Sequence, residues 1–247
     1  MTLYTDIDEY CCKWLEKLVA AGQLPTGSVL QKDIKELTEN DLRDYQQIHF
    51  FCGIGGWPYA LWLADWPDGK PIWTASLPCQ PFSVAGARRG ENDPRHLWPD
   101  FFRLVRLGRP PIIVGEQVSG KAGYAWFDGV AADLETEGYA CGAVDIPACA
   151  VGAPHIRNRL YWVANARRAR LAGHMFEREG ICGKPNTPSA LRSNSGLLTR
   201  FCDKPTPETV HATDGLSRPV DIIRSLGNAI VPQVAATFLT TLLPDLD

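Results

Sequence analysis

Ile72-Trp73-Thr74-Ala75-Ser76-Leu77-Pro78-Cys79-Gln80-Pro81-Phe82-Ser83 places a thiol directly after a short apolar run. The run from Ile72 to Leu77 reads as a buried strand, and Pro78, which has no backbone N–H to give a ladder, stops it. A thiol in that place stands at the carboxyl edge of a sheet, where α/β folds bind their ligands. A free cysteine is otherwise a small hydrophobe and most often an inert core residue. Prolines on both sides of Cys79 fix the backbone and disfavour regular structure, which moves the thiol out of the core. Nucleophilic action also needs thiolate, and hence a cationic or helix-terminal neighbour that lowers the pKa.

Other segments repeat this strand-then-site pattern. Gln47-Ile48-His49-Phe50-Phe51 reads as a strand that runs into Cys52-Gly53-Ile54-Gly55-Gly56, where glycines let the backbone approach a ligand and open a helix over Tyr59–Trp66. The apolar strand Pro111-Ile112-Ile113-Val114 ends in Gly115-Glu116, which sets a carboxylate at the ligand edge. Arg157 and Arg159 precede the strand-like Leu160-Tyr161-Trp162-Val163-Ala164. Leu97 to Val105 begins a helix whose Trp98, Phe101 and Phe102 are expected in the core, and Pro232–Leu243 reads as a closing helix. Strands alternating with helices point to an α/β fold with helices on both faces of a mostly parallel sheet.

Taken in order, these segments resemble the cytosine-5 DNA methyltransferases. Phe51-Cys52-Gly53-Ile54-Gly55-Gly56 is similar to that family's cofactor loop, and Pro78-Cys79-Gln80 to its nucleophile motif. Glu116-Gln117-Val118 resembles its Glu-Asn-Val, with Gln in place of Asn. His155-Ile156-Arg157-Asn158-Arg159 resembles Gln-x-Arg-x-Arg, with His in place of Gln, and Gly227-Asn228-Ala229-Ile230-Val231-Pro232 resembles the last motif in full. The resemblance implies a Rossmann-like methyltransferase sheet and transfer of a methyl group from S-adenosylmethionine to carbon 5 of cytosine in DNA.

The chemistry requires these residue types together. Carbon 5 of cytosine is a poor nucleophile until a thiolate adds at carbon 6, and by resemblance Cys79 supplies it. Glu116 would hydrogen-bond ring nitrogen 3 and the amino edge, Arg159 would polarise the carbonyl oxygen, and Arg157 would lie nearer a phosphate. On the donor side the resemblance implies that Phe51 stacks on the adenine of S-adenosylmethionine and that Gly53, Ile54 and Gly56 line its methionine end. Pro78, Leu97 and Asn228 complete the expected donor contacts. His49 stands where the family usually carries Asp.

About twenty residues separate Gly56 from Pro78, although the family inserts two strands and a helix there. The front of the chain carries matching pieces. Thr5-Asp6-Ile7-Asp8-Glu9-Tyr10 resembles the family's acidic second-strand motif, and apolar residues at helical spacing follow as far as Gly22. Val29 to Leu37 resembles the third motif around Asp33-Ile34. A circular permutation is therefore expected, with the second and third strands preceding the first; Asp6 would bind the cofactor ribose and Asp33 the adenine amino group, with Ile7 and Ile34 as further cofactor contacts. The direct step from first strand to nucleophile strand conflicts with right-handed crossovers, because it favours the unusual face for the intervening helix. The alternative is an added helical cap over residues 1–45 with solvated acids.

Composition bounds the partners. The 247 residues carry a formal net charge of -3, but between His155 and Lys204 ten Arg or Lys residues face three acids, a surplus of seven that suits phosphate contact. Residues 165–214 are expected to form a small, loop-rich target-recognition region beside a catalytic domain of 1–164 and 215–247. Arg167, Arg168 and Arg170 are expected DNA contacts there, and Ser83, Arg88 and Arg89 on a polar loop that closes over a flipped base. Eight cysteines without a Cys-x-x-Cys pair give no zinc pattern and no disulfide framework, so no metal is expected and a reduced cytoplasm is the simplest compartment. No run reaches the ~18 apolar residues of a membrane span, and the start lacks a signal peptide's basic region. A monomer acting on double-stranded DNA is expected. An RNA substrate, a modified sulfonium donor and a catalytically silent DNA-binding relative are the alternatives.

Overall fold

Strand β1 (Thr2–Asp6) leads into helix α1 (Glu9–Ala20), which starts where the Asp8 carboxylate accepts the Cys11 N–H at 3.0 Å. The computed structural model describes residues 1–78, 97–166 and 228–243. β2 (Gly27–Gln31), a 3-10 turn at Ile34–Glu36 and α2 (Glu39–Leu42) come next, then β3 (Gln47–Phe50), α3 (Gly56–Leu63) and β4 (Ile72–Ala75). α4 (Trp98–Gly108), β5 (Ile112–Val118), α5 (Lys121–Thr136), β6 (Ala140–Pro147), β7 (Asn158–Asn165) and α6 (Pro232–Leu242) complete the described elements.

The strands form one sheet in the order β2-β1-β3-β4-β5-β7-β6. β1 to β5 pair in parallel, and β7 runs antiparallel to both β5 and β6. Five parallel strands therefore deliver their carboxyl ends to one edge. β7 runs the other way, so its first residues, Asn158 and Arg159, arrive at that same edge.

Side-chain alternation divides the core between two faces. Trp73 and Ala75 of β4 pack with Phe50, Ile113 and Trp162 under α4 and α5, whereas Ile72 packs with Ile112, Val114 and Tyr161 under α3 and α6. Trp98 and Phe101 lie in the first of these cores, as expected, with Phe102 packed partly buried against it. Gly115 makes this packing possible, because a Cβ there would fall 2.4 Å from the Trp162 ring. Leu15 of α1 packs on Tyr4, and Tyr4 stands beside His49 and, one strand further, Thr74. Helix α1 thus covers the same face as α3.

The pairing settles the front of the chain: residues 2–31 supply two strands of the sheet, not a cap. It also exposes an unusual connection. From β1 to β2 the chain steps one way across the sheet, and from β3 to β4 the other way, yet α1 and α3 lie on one face. The step from β4 to β5 follows the direction of β3 to β4 with α4 on the opposite face, and so shares its hand with β1–α1–β2. Crossovers between parallel strands are right-handed in about 98% of cases, which makes β3–α3–β4 the exception.

Some boundaries differ from the sequence reading. The helix expected over Tyr59–Trp66 spans Gly56–Leu63: Pro58 fits in its first turn, where no N–H is needed, and Asp65 ends it in the left-handed region at φ 53°. The run Ile72–Leu77 is strand only to Ala75. α5 and β6 were not anticipated. Glycines at 123 and 129 blur the apolar stripe of α5, and β6 is rich in small residues.

His49 is buried without exposure at the middle of β3, stacked on Tyr4 at 5.4 Å between centroids, with Nδ1 2.9 Å from Thr74 Oγ1. Burial pushes its pKa down to about 3 from 6.5. Between these values the unfolded chain takes up a proton that the folded chain refuses, so stability present above pH 6.5 is lost as the pH falls toward 3. The slope from this one group reaches about 1.4 kcal/mol per pH unit. Urea midpoints measured across that window should fall less steeply for His49→Gln than for wild type; equal slopes would show that His49 does not drive the acid sensitivity.

Candidate active site

Glu116 on β5 and Arg159 on β7 meet at the carboxyl edge. The antiparallel register sets Glu116 opposite Tyr161 and Val118 opposite Arg159, and the Arg159 Nε comes within 2.8 Å of Glu116 Oε1. Burial raises the pKa of Glu116 although Arg159 and Arg157 oppose the shift. The carboxyl therefore holds a proton more readily than an exposed glutamate while a guanidinium lies against it. Such a pair is suited to stabilising charge that develops on a substrate ring.

Two further contacts brace this pair. Arg157 adopts φ 26°, a strained conformation for a non-glycine residue, and its Nη2 donates to the Ala229 carbonyl at 2.9 Å. That bond ties the arginine segment to the Asn228–Pro232 motif. Gln117 is buried, accepts the Val118 N–H on Oε1 at 2.9 Å, and sets Nε2 3.5 Å from the Leu77 carbonyl. Its amide bridges the end of β5 to the exit of β4, one residue before the exposed Pro78. Cys79, Ser83, Arg88, Arg89, Arg167, Arg168 and Arg170 lie outside the described residues, as does most of 165–214.

A second group gathers where β1, β2 and β3 end. Asp6 Oδ2 accepts the Gly53 N–H at 2.8 Å, its Oδ1 accepts the Asp8 N–H at 3.0 Å, and its carbonyl accepts the Lys32 N–H at 3.1 Å. Burial raises the Asp6 pKa against these backbone hydrogen bonds. Ile7 beside it is 63% exposed, a large apolar side chain presented at the edge. Phe51 is half-buried at φ 50°, and a Cβ at Gly53 would meet open space. Ile54 and Leu97 are half-buried, and Asn228 is exposed.

Asp33 caps the 3-10 turn by accepting the Lys35 N–H at 3.0 Å, while the Ile34 side chain is buried in the core. Arg103, which the sequence reading passed over, holds this turn from α4: its Nη2 donates to the carbonyls of Ile34 at 3.2 Å and Leu37 at 3.0 Å. No sequence signal marks it, because the partners are backbone atoms more than sixty residues away. Gly56 has a packing role as well as any donor contact, since a Cβ there would lie 2.7 Å from Ile230. The two carboxylates, the exposed Ile7, the open glycine turn and the half-buried Phe51 together fit a nucleoside-bearing donor.

Among the described residues no group of three or more His, Cys, Asp or Glu is placed to hold a metal ion, and no helix is long and apolar enough to cross a membrane.

A seven-stranded sheet with one antiparallel strand, and with acids and glycines gathered at its carboxyl edge, defines a Rossmann-like methyltransferase fold. The chain belongs to the C-5 cytosine-specific DNA methylase family, whose model matches residues 2–180. It is 30% identical over 146 residues to the type II methyltransferase M.DdeI of Desulfomicrobium norvegicum, covering 56% of this chain and 30% of that protein. It is 31% identical over 102 residues to M.CviJI of Paramecium bursaria Chlorella virus IL3A, covering 41% and 28%. The alignments thus span less than a third of these relatives' length. Among solved structures, the S. pombe Dnmt2 methyltransferase matches 100% of this chain and 99% of its own at 15% identity and a TM-score of 0.49. The Entamoeba histolytica methyltransferase EhMeth matches 66% and 44% at 18% identity and 0.46.

Proposed function

We propose that the chain transfers a methyl group from S-adenosylmethionine to carbon 5 of cytosine in double-stranded DNA. The observation that carries this reading is the half-buried Glu116–Arg159 pair at the sheet edge, beside the exit of β4 toward Cys79. The target carbon is inaccessible in a duplex, so the cytosine leaves the stack and enters the edge. The Cys79 thiolate adds to carbon 6, and electron density moves toward ring nitrogen 3. Glu116, in its protonated form, stabilises it there by a hydrogen bond, while Arg159 polarises the carbonyl oxygen. Carbon 5 then takes the methyl group as its bond to the sulfonium breaks, the bonding pair staying on that sulfur as a neutral thioether. After alkylation the carbon 5 proton leaves to a base, the bond to sulfur breaks, and the thiolate is restored.

Bound S-adenosylmethionine supplies an electrophilic methyl sulfonium. Asp6 and Asp33 would hold its ribose and adenine amino group, Phe51 and Ile7 would flank the adenine, and Gly53 and Ile54 would border the methionine end. The basic segment after Arg159 supplies phosphate contacts.

The strand order supports a circular permutation of the family arrangement. In a chain running β3–α3–β1–α1–β2–β4, α3 would lead to β1 on its own side of the sheet, and the crossover would have the ordinary hand. The exceptional hand of β3–α3–β4 is what remains when β1, α1 and β2 are moved to the front.

Glu116→Gln and Arg159→Ala should each lower the single-turnover methylation rate about 100-fold or more, because their contacts strengthen as charge develops on the ring. DNA affinity should change by only a few-fold. Rapid-quench assays with saturating DNA measure this; loss of DNA binding at an unchanged chemical rate would make both residues structural.

A further inference from the structure

We propose that Asp6 is a positioning residue for the glycine turn, in addition to any contact that it makes with the donor. The inference rests on the donor-site reading above and adds a role within that site. Three residues of the turn sit at positive φ, Phe51 at 50°, Gly53 at 55° and Gly55 at 92°, and a turn of this kind needs an external hold. Asp6 provides one from 47 residues away: its Oδ2 accepts the Gly53 N–H at 2.8 Å. Its Oδ1 is anchored by the Asp8 N–H, and its carbonyl by the Lys32 N–H at the exit of β2. The Cys52 N–H donates to the Thr5 carbonyl at 3.1 Å, which brings the backbone of the two strand ends together before the carboxylate acts.

The Asp6 carboxylate thus joins the exits of β1 and β3, while its main-chain carbonyl pairs with the exit of β2. A carboxylate offers about four lone-pair sites, so Asp6, with the N–H groups of Gly53, Asp8 and Ile7 on it, keeps capacity for a ribose hydroxyl. A ribose ligand alone would require no bond to Gly53. The bond found there means that removing Asp6 frees the turn bordering the amino-acid end of the donor, as well as deleting a ribose contact.

Adenosine and S-adenosylhomocysteine separate the two roles. Both carry the ribose, but only the second extends along the glycine turn. For Asp6→Ala the dissociation constant of S-adenosylhomocysteine, measured by calorimetry on the full chain, should rise at least tenfold more than that of adenosine. Amide hydrogen exchange over residues 52–56 should also speed up in the ligand-free variant. Asp6→Asn, which retains one acceptor oxygen, should show the same differences in smaller degree and provides the measurement if the alanine variant does not fold. Equal weakening of both ligands with unchanged exchange would overturn the positioning role and leave Asp6 a ribose ligand. A wild-type chain that binds neither compound would overturn the donor reading itself, and the inference with it.

Discussion

Cys79→Ser is expected to abolish methyl transfer while DNA and donor binding survive. A serine hydroxyl is close in size to the thiol, but at neutral pH it is too weakly acidic to add to carbon 6, and carbon 5 is then never activated. The loss should be on the order of 10⁴-fold or more, since the nucleophile acts in every later step. DNA containing 5-fluorocytosine gives a second readout. Fluorine at carbon 5 cannot leave as a proton does, so wild type should remain covalently attached through a denaturing gel and the serine variant should not. Near-normal turnover by Cys79→Ser would move the nucleophile elsewhere, and with it the role of the β4 exit held by Gln117.

Removing residues 1–45 should leave no cooperatively folded protein. The segment forms one end of the sheet, with β2 at the edge; β1 is hydrogen-bonded to β2 on one side and β3 on the other, and it buries Leu3 and Tyr4 almost completely. Without it the Gln47–Phe50 backbone loses a row of partners, His49 loses the Tyr4 ring and Gly53 loses its acceptor. Unsatisfied buried backbone groups and lost core side chains each cost on the order of 1–3 kcal/mol, against a total stability of about 5–15 kcal/mol. Circular dichroism on heating should show no sharp transition. Re-inserting the same residues between Ala64 and Ile72, where the unpermuted order would place them, should restore folding and activity. A soluble, active truncation would contradict the account of these strands.

The strand ends were legible because they carry local punctuation. Phe51-Cys52-Gly53, Pro78 and Gly115-Glu116 each follow an apolar run, and the sheet brings all three to one edge. Asp6 and Asp33 were also located from short patterns, and the parallel pairing of β1 and β2 puts both at that edge. The conflict over the hand of β3–α3–β4 was visible in the chain order, but its outcome was not. It depends on which core receives Trp57, Ala60 and Leu61, and these pack with Ile72, Tyr161 and α6. Bonds between distant residues left no trace in the sequence. Arg103 caps carbonyls of a remote turn, Gln117 reaches across to Leu77, and Asp6 holds Gly53; each depends on register and not on local pattern.

Methyl transfer to carbon 5 of cytosine in DNA is tested most directly by digesting duplex DNA after incubation with the chain and methyl-labelled S-adenosylmethionine, and identifying the labelled nucleoside by mass spectrometry. The account predicts label in 5-methyldeoxycytidine, present with wild type and absent with Cys79→Ser. Label on the exocyclic amino group of cytosine, label found in RNA but not DNA, or transfer of a group other than methyl would contradict it.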